Sequence, residues 1–160
     1  MNLGSILLAG FVATAVLTTC LAGGQGLGLS RLSMPLLLGT VFTANRRRAN
    51  LAGFVLHLLN GWIIALVYGL LFEEWRLATW WLGALLGLLQ ALFILVAVMP
   101  LLPSLHPRMA SERSGPNPTR QLEPPGFLAL NYGRFTPLAT VVAHLLYGAI
   151  LGAAYTLQPG

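Results

Sequence analysis

Four stretches of this chain run for the thickness of a bilayer core without one charged side chain: Leu3–Ala22, Leu51–Phe72, Leu77–Met99 and Phe135–Leu157. A helix needs about 20 apolar residues to cross that core. Inside lipid every backbone N–H and C=O must be paired within the protein. A helix pairs them locally, so stretches of this kind restrict the chain to helical folds. A water-soluble domain of 160 residues would also need more charged surface than 8% of the chain supplies. The expected fold class is all-α: an integral membrane four-helix bundle forming a single transmembrane domain over residues 1–160. A fifth apolar segment, Met34–Thr43, has about half the spanning length, with Pro35 suited to a first helical turn. It reads as a short interfacial or re-entrant helix, after a flexible Gly23–Gly28 link rich in glycine.

Charge then orients the spans. All nine basic residues are arginine. Arg31 and Arg46, Arg47 and Arg48 lie between spans one and two, and Arg108, Arg113, Arg120 and Arg134 between spans three and four. The link between spans two and three holds only Glu73, Glu74, Trp75 and Arg76. The positive-inside rule therefore puts both Arg-rich loops in the cytoplasm and both termini outside. Trp75, Trp80 and Trp81 would form an aromatic girdle at the outer interface. The net charge of +5 is explained by these flanking arginines and by anionic lipid rather than by nucleic acid. The segment from about 102 to 133, rich in Pro, Ser, Arg and Asn, is expected to be a flexible cytoplasmic loop.

Spans two and four carry an internal repeat. His57-Leu-Leu-Asn-Gly61-Trp-Ile-Ile-Ala-Leu-Val-Tyr68-Gly-Leu70 matches His144-Leu-Leu-Tyr-Gly148-Ala-Ile-Leu-Gly-Ala-Ala-Tyr155-Thr-Leu157 at seven of fourteen positions. A shorter echo, Met34-Pro-Leu-Leu37 and Met99-Pro-Leu-Leu102, precedes each His-bearing span at a different spacing. Together these predict two parallel helical-hairpin repeats about a pseudo-twofold axis normal to the membrane. Small residues spaced by four, Gly61, Ala65 and Gly69, Gly83 and Gly87, Gly148 and Gly152, mark faces where helix backbones can approach closely.

The repeated histidines are the candidate site, because an intramembrane polar residue is costly without a partner or a purpose. At 1.5 Å per residue, both lie roughly 10–14 Å from the cytoplasmic end of their spans. Three explanations stand side by side. In the first, each imidazole hydrogen-bonds across a helix interface to Asn60, Tyr147, Thr140 or Gln90 and fixes register. In the second, His57 and His144 ligate a b-type haem, with Gly61 and Gly148 leaving room for the macrocycle and Arg46–Arg48 meeting its propionates. In the third, His57, Asn60, Gln90, Thr140 and Tyr147 line a channel or carrier for a small solute.

Other chemistry is poorly provided for. All four acids, Glu73, Glu74, Glu112 and Glu123, lie in loops, which leaves a proton pump without a titrating carboxylate in its spans. Thr14, Thr18 and Thr19 have no accompanying base and acid and are expected to bond their own helix backbone. Cys20 is the only cysteine, so neither an intrachain disulfide nor a cysteine-built metal site is available. Leu17–Cys20 is a poor match to a lipoprotein cleavage box, and the first helix is expected to be retained. His106 has no ligand neighbour in the sequence and reads as a loop residue.

In their order, Gly10-Phe-Val-Ala-Thr14, Leu36–Thr40 after Met34-Pro35, His57–Gly61, Met99-Pro100 and His144–Gly148 resemble a group of small four-span bacterial membrane proteins with no assigned activity. The resemblance implies the four-helix fold and a bacterial inner membrane, and it implies no activity. The expected role is a non-enzymatic structural or accessory subunit without a cofactor. Its expected partners are the lipid bilayer and either other membrane subunits or copies of itself. The alternatives are a bis-histidine haem b electron-transfer subunit and a small-solute channel or carrier.

Overall fold

Short polar side chains start three of the helices. In the computed structural model, which describes residues 1–111 and 115–158, the Asn2, Ser33 and Asn45 side chains accept from the backbone N–H of Ser5, Leu36 and Arg48. The helices that follow are α1 (Leu3–Gly26), α2 (Met34–Gly39) and α3 (Arg46–Glu74). After a tight turn come α4 (Trp80–Phe93), a π-helical turn (Ile94–Val98) and α5 (Met99–Leu105). A 3-10 turn (Phe127–Tyr132) leads into α6 (Thr136–Ala154). The fold is all-helical, and among the described residues the only β pairing is two isolated bridges within 109–122.

Four helical segments are long and apolar enough to cross a membrane: α1, α3, Trp80–Leu105 and α6. Between 22% and 39% of each apolar window is buried inside the protein, so most of the apolar surface faces outward, as it does in lipid. Α1 packs against both α3 and α6, and α4 packs against α6, giving the order α3, α1, α6, α4 around the bundle. Sequence neighbours α3 and α4 are not closely packed. A twofold relating the two hairpins would match α1 on α6 with α4 on α3. Only the first of these contacts is developed.

Residues four apart make the contacts. Gly10, Thr14 and Ile6 of α1 face Ala65, Gly61 and Gly69 of α3 in antiparallel register. On the other side, Gly83 and Gly87 of α4 lie against the backbone of Gly148, Gly152 and His144 in α6. A Cβ on Gly83 or Gly148 would overlap the other's carbonyl. Α2 is held in the same way, since a Cβ on Gly39 would run into the Ala49 carbonyl and one on Gly53 into that of Pro35.

Several expectations change in extent. Α1 continues to Gly26 through most of the glycine link. Gly24 is buried against Ala139, and the turn comes at Gly28, whose φ of +70° suits a residue without Cβ. The third span continues through Pro100 and Pro103. Pro100 has no N–H to give the Val96 carbonyl, and the adjoining Met99 N–H bonds to Ile94, five residues back.

The stretch from 102 to 133 is not a free tether where it is described. His106 Nε2 lies 2.9 Å from the Leu37 carbonyl, and the Arg108 guanidinium donates to the carbonyls of Thr40 (2.6 Å) and Val41 (2.9 Å). Tyr132 donates to the Glu123 carbonyl at 2.6 Å. Burial, reinforced by the Glu123 carboxylate, pushes that phenol up to about 12 and keeps it a donor. Buried Met109 and Ala129 supply the apolar contacts that composition alone did not suggest. Glu112 and Arg113 lie outside the described residues.

The two Arg-bearing linkers meet at one end of the bundle, where Arg31 lies 3.2 Å from Glu123 and the Ser30 hydroxyl 2.8 Å from that of Thr136. At the opposite end, Tyr155 donates to Glu73 at 2.7 Å and accepts from the Asn2 N–H at 2.9 Å.

One substitution at two places tests the close-contact account. Gly148→Ala is expected to lower stability by roughly 1–3 kcal/mol through overpacking. Gly23→Ala, where nothing lies within 4 Å of the new methyl, should be neutral or stabilise by about 0.5–1 kcal/mol. Thermal unfolding of the detergent-solubilised protein, followed by circular dichroism, reads both. Equal effects at the two sites would contradict the packing.

Candidate functional site

Α3 buries a stripe in steps of four, Ala49, Gly53, His57, Gly61, Ala65 and Gly69, and His57 is the polar side chain in it. Α6 does the same with Thr136, Thr140, His144, Gly148 and Gly152. The small neighbours let other helices come close, which draws each imidazole inside the bundle. His57 is 7% exposed and His144 6%. Both line one cavity of about 50 Å³ at the middle of the four helices. Thr14 reaches it from α1, Gln90 from α4, and Met34 and Met99 close its Arg-rich end.

The imidazoles do not make the expected cross-helix bonds. His144 Nδ1 lies 2.8 Å from the Thr140 carbonyl, one turn back on its own helix. A carbonyl only accepts, so Nδ1 carries the proton and Nε2 is left with its lone pair. Among the described residues, neither ring nitrogen of His57 has a hydrogen-bond partner, and the Thr140 hydroxyl also has none. The other candidate partners are engaged elsewhere or turned away. Tyr147 donates to the Gly61 carbonyl at 2.6 Å, and Gln90 accepts from Tyr68 at 2.8 Å. Asn60 lines the same cavity at its exposed edge, where α3 and α4 part, but makes no hydrogen bond to either imidazole. Thr14, Thr18 and Thr19 bond the carbonyls of Gly10, Thr14 and Ala15 on their own helix, as expected for threonines in an apolar helix.

The repeat thus places equivalent residues in different surroundings. Gly61 faces the Thr14 side chain, whereas Gly148 faces the Gly83 backbone. Tyr68 lies edge-on to Tyr147 inside the bundle, whereas Tyr155 reaches Glu73 at its end. These contacts also answer the haem expectation. Sites for small organic ligands measure roughly 300–1,000 Å³, and this cavity is far smaller. Both glycines assigned to making room are already filled by helix contacts. As the helices are packed, the space between His57 and His144 is smaller than a porphyrin.

The sequence reading passed over three residues that matter here. His106 is buried rather than a plain loop residue: its Nδ1 accepts from the Arg108 N–H at 3.1 Å and its Nε2 reaches the Leu37 carbonyl. Met34 and Met99, noticed only as parts of the Met-Pro-Leu-Leu echo, reach the histidine cavity. Among the described residues no group of three or more His, Cys, Asp or Glu gathers in one place. No family model matches this chain, and no curated protein or solved structure is significantly similar to it.

His106→Ala would remove the link between α2 and the segment that follows α5. The loss of about two hydrogen bonds, roughly 2 kcal/mol, predicts cleavage after Arg108 or Arg120 by trypsin that is about 30-fold faster. Limited proteolysis with unchanged helix content checks this.

Proposed function

We propose that this chain is a multi-pass protein of the bacterial inner membrane, built as two helical hairpins, with both termini outside. In this reading it serves as a structural or accessory subunit that packs against a copy of itself or another membrane protein. It belongs with the small four-span bacterial membrane proteins whose motifs it resembles. The orientation draws on the gathering of Arg31, Arg108 and Arg120 at one end of the bundle and Trp75 and Trp80 at the other.

One observation carries the subunit role. Asn60 lies midway along α3, exposed, with no hydrogen bond among the described residues, beside the gap between α3 and α4. At that depth an amide facing lipid leaves its polar atoms unpaired, whereas an amide facing another helix can pair them. The bundle packs α4 on α6 glycine against backbone and α1 on α3 glycine against side chain, and leaves this side open. A second copy offers the same amide and the same gap, so a twofold contact through α3 satisfies both.

Chemical crosslinking and light scattering in mild detergent test the role. The expected result is a dimer, or a larger complex from native membranes, that Asn60→Leu converts to monomer with helix content unchanged. Interhelical polar bonds contribute roughly 0.6–2 kcal/mol, enough to weaken association about 3- to 30-fold. A wild-type monomer with no co-purifying protein would overturn the proposal. For orientation, a fluorescent reporter that folds only in the cytoplasm is expected to be bright when inserted near Gly115 and dark when fused to the C-terminus.

A further inference from the structure

The interior cavity brings together the two repeated elements of the chain. His57 and His144 come from the long repeat, Met34 and Met99 from the short one, and all four line the same 50 Å³ space. Nothing in helix packing requires the two echoes to meet. We propose that His57, His144, Met34 and Met99 form a binding site for a single soft monovalent metal cation of the copper(I) class. The inference holds whether the protein is a monomer or a dimer.

The state of the imidazoles supports a metal. An unpartnered buried polar group is costly, and His57, at 7% exposure, has no partner for either nitrogen among the described residues. His144 donates a hydrogen bond from Nδ1–H to the Thr140 carbonyl and retains a lone pair on Nε2. A metal-bound histidine is normally fixed in this way, by a backbone carbonyl that takes its other ring proton. The π-helical turn helps too: it ends at Met99, which is 1% exposed and lies on the cavity although prolines follow at 100 and 103. Such turns are frequent at functional sites.

The donor set selects the ion. Two imidazoles and two thioethers bring no negative charge, and no carboxylate or thiolate lines the cavity. The cost of burying an ion rises with the square of its charge, so a divalent cation fares much worse than a monovalent one among neutral ligands. Hard ions such as magnesium and calcium require oxygen ligands. Thioether sulfur and imidazole nitrogen suit copper(I), and the cavity has room for an ion or one to a few waters but not for an organic solute.

The test uses the full chain with Cys20→Ser, which removes a thiol that would compete for copper(I). Under anaerobic reducing conditions, the protein in detergent is titrated with copper(I) against a chromogenic copper(I) chelator, and separately with zinc(II). The expected result is one copper(I) per chain, no stoichiometric zinc(II), and an X-ray absorption spectrum with both nitrogen and sulfur as nearest neighbours. His57→Gln and Met99→Leu, which keep side-chain bulk, should each weaken binding at least about tenfold. Absence of copper(I) binding, a first shell without sulfur, preference for zinc(II), or unchanged affinity in the folded variants would each overturn the proposal. The absorption spectrum of the Cys20→Ser protein decides the matter even if the site variants fail to fold.

Discussion

Backbone contact between α4 and α6 is the constraint on which the remaining geometry rests. Gly83 and Gly87 meet Gly148, Gly152 and the His144 carbonyl with no side chain between. Helices whose apolar surfaces face lipid gain little from hydrophobic association, because lipid tails are as apolar as leucine. Close approach and dispersion have to supply the attraction, and glycine four residues apart permits the approach. The same contact sets the depth and rotation of α6, and hence where His144 points. Α1 against α3 repeats the principle with Gly10, Gly61 and Gly69, and α2 against α3 with Gly39 and Gly53.

These contacts also explain why a repeated motif does not give a symmetric molecule. Gly148 is used against α4, so α6 carries two neighbours, α1 and α4. Gly61 is used against Thr14 of α1, and α3 reaches α4 through the Tyr68–Gln90 hydrogen bond without a glycine contact. The broken symmetry leaves one open side, with Asn60 on it, and a central space that the helices do not fill. His144 finds a carbonyl on its own helix, whereas His57 finds nothing. The open side and the unfilled space adjoin at Asn60 and follow from one asymmetric packing, while association and metal binding are proposed on different groups: the Asn60 amide for the first, the imidazoles and thioethers for the second.

Much of the fold was legible in the residues. The four apolar stretches correspond to the four long helices, with ends that moved by a few residues where a cap such as Asn45 or a glycine such as Gly28 intervened. The close-packing role of Gly83, Gly87, Gly148 and Gly152 followed from their spacing, since residues four apart share one face. His106 was not legible, because its partners, Leu37 and Thr40, lie more than sixty residues away in sequence. The order imposed on residues 106–111 and 115–126 was hidden for the same reason. Its composition is that of a loose loop, and its anchors are carbonyls at the end of α2.

Of the candidate site, the sequence by itself determined the histidine pair, its similar depth, the uncharged surroundings and the helical frame. These follow from local periodicity and from the demand that backbone groups in an apolar setting be paired. Only the tertiary structure decided that the imidazoles miss each other's expected partners, that both glycines are already occupied, and that Met34 and Met99 reach the same cavity. The reason is physical: the rotation of a helix about its axis, and the choice of neighbour for each face, depend on which backbones can touch. Small-residue spacing permits several such pairings, and only the assembled bundle selects one.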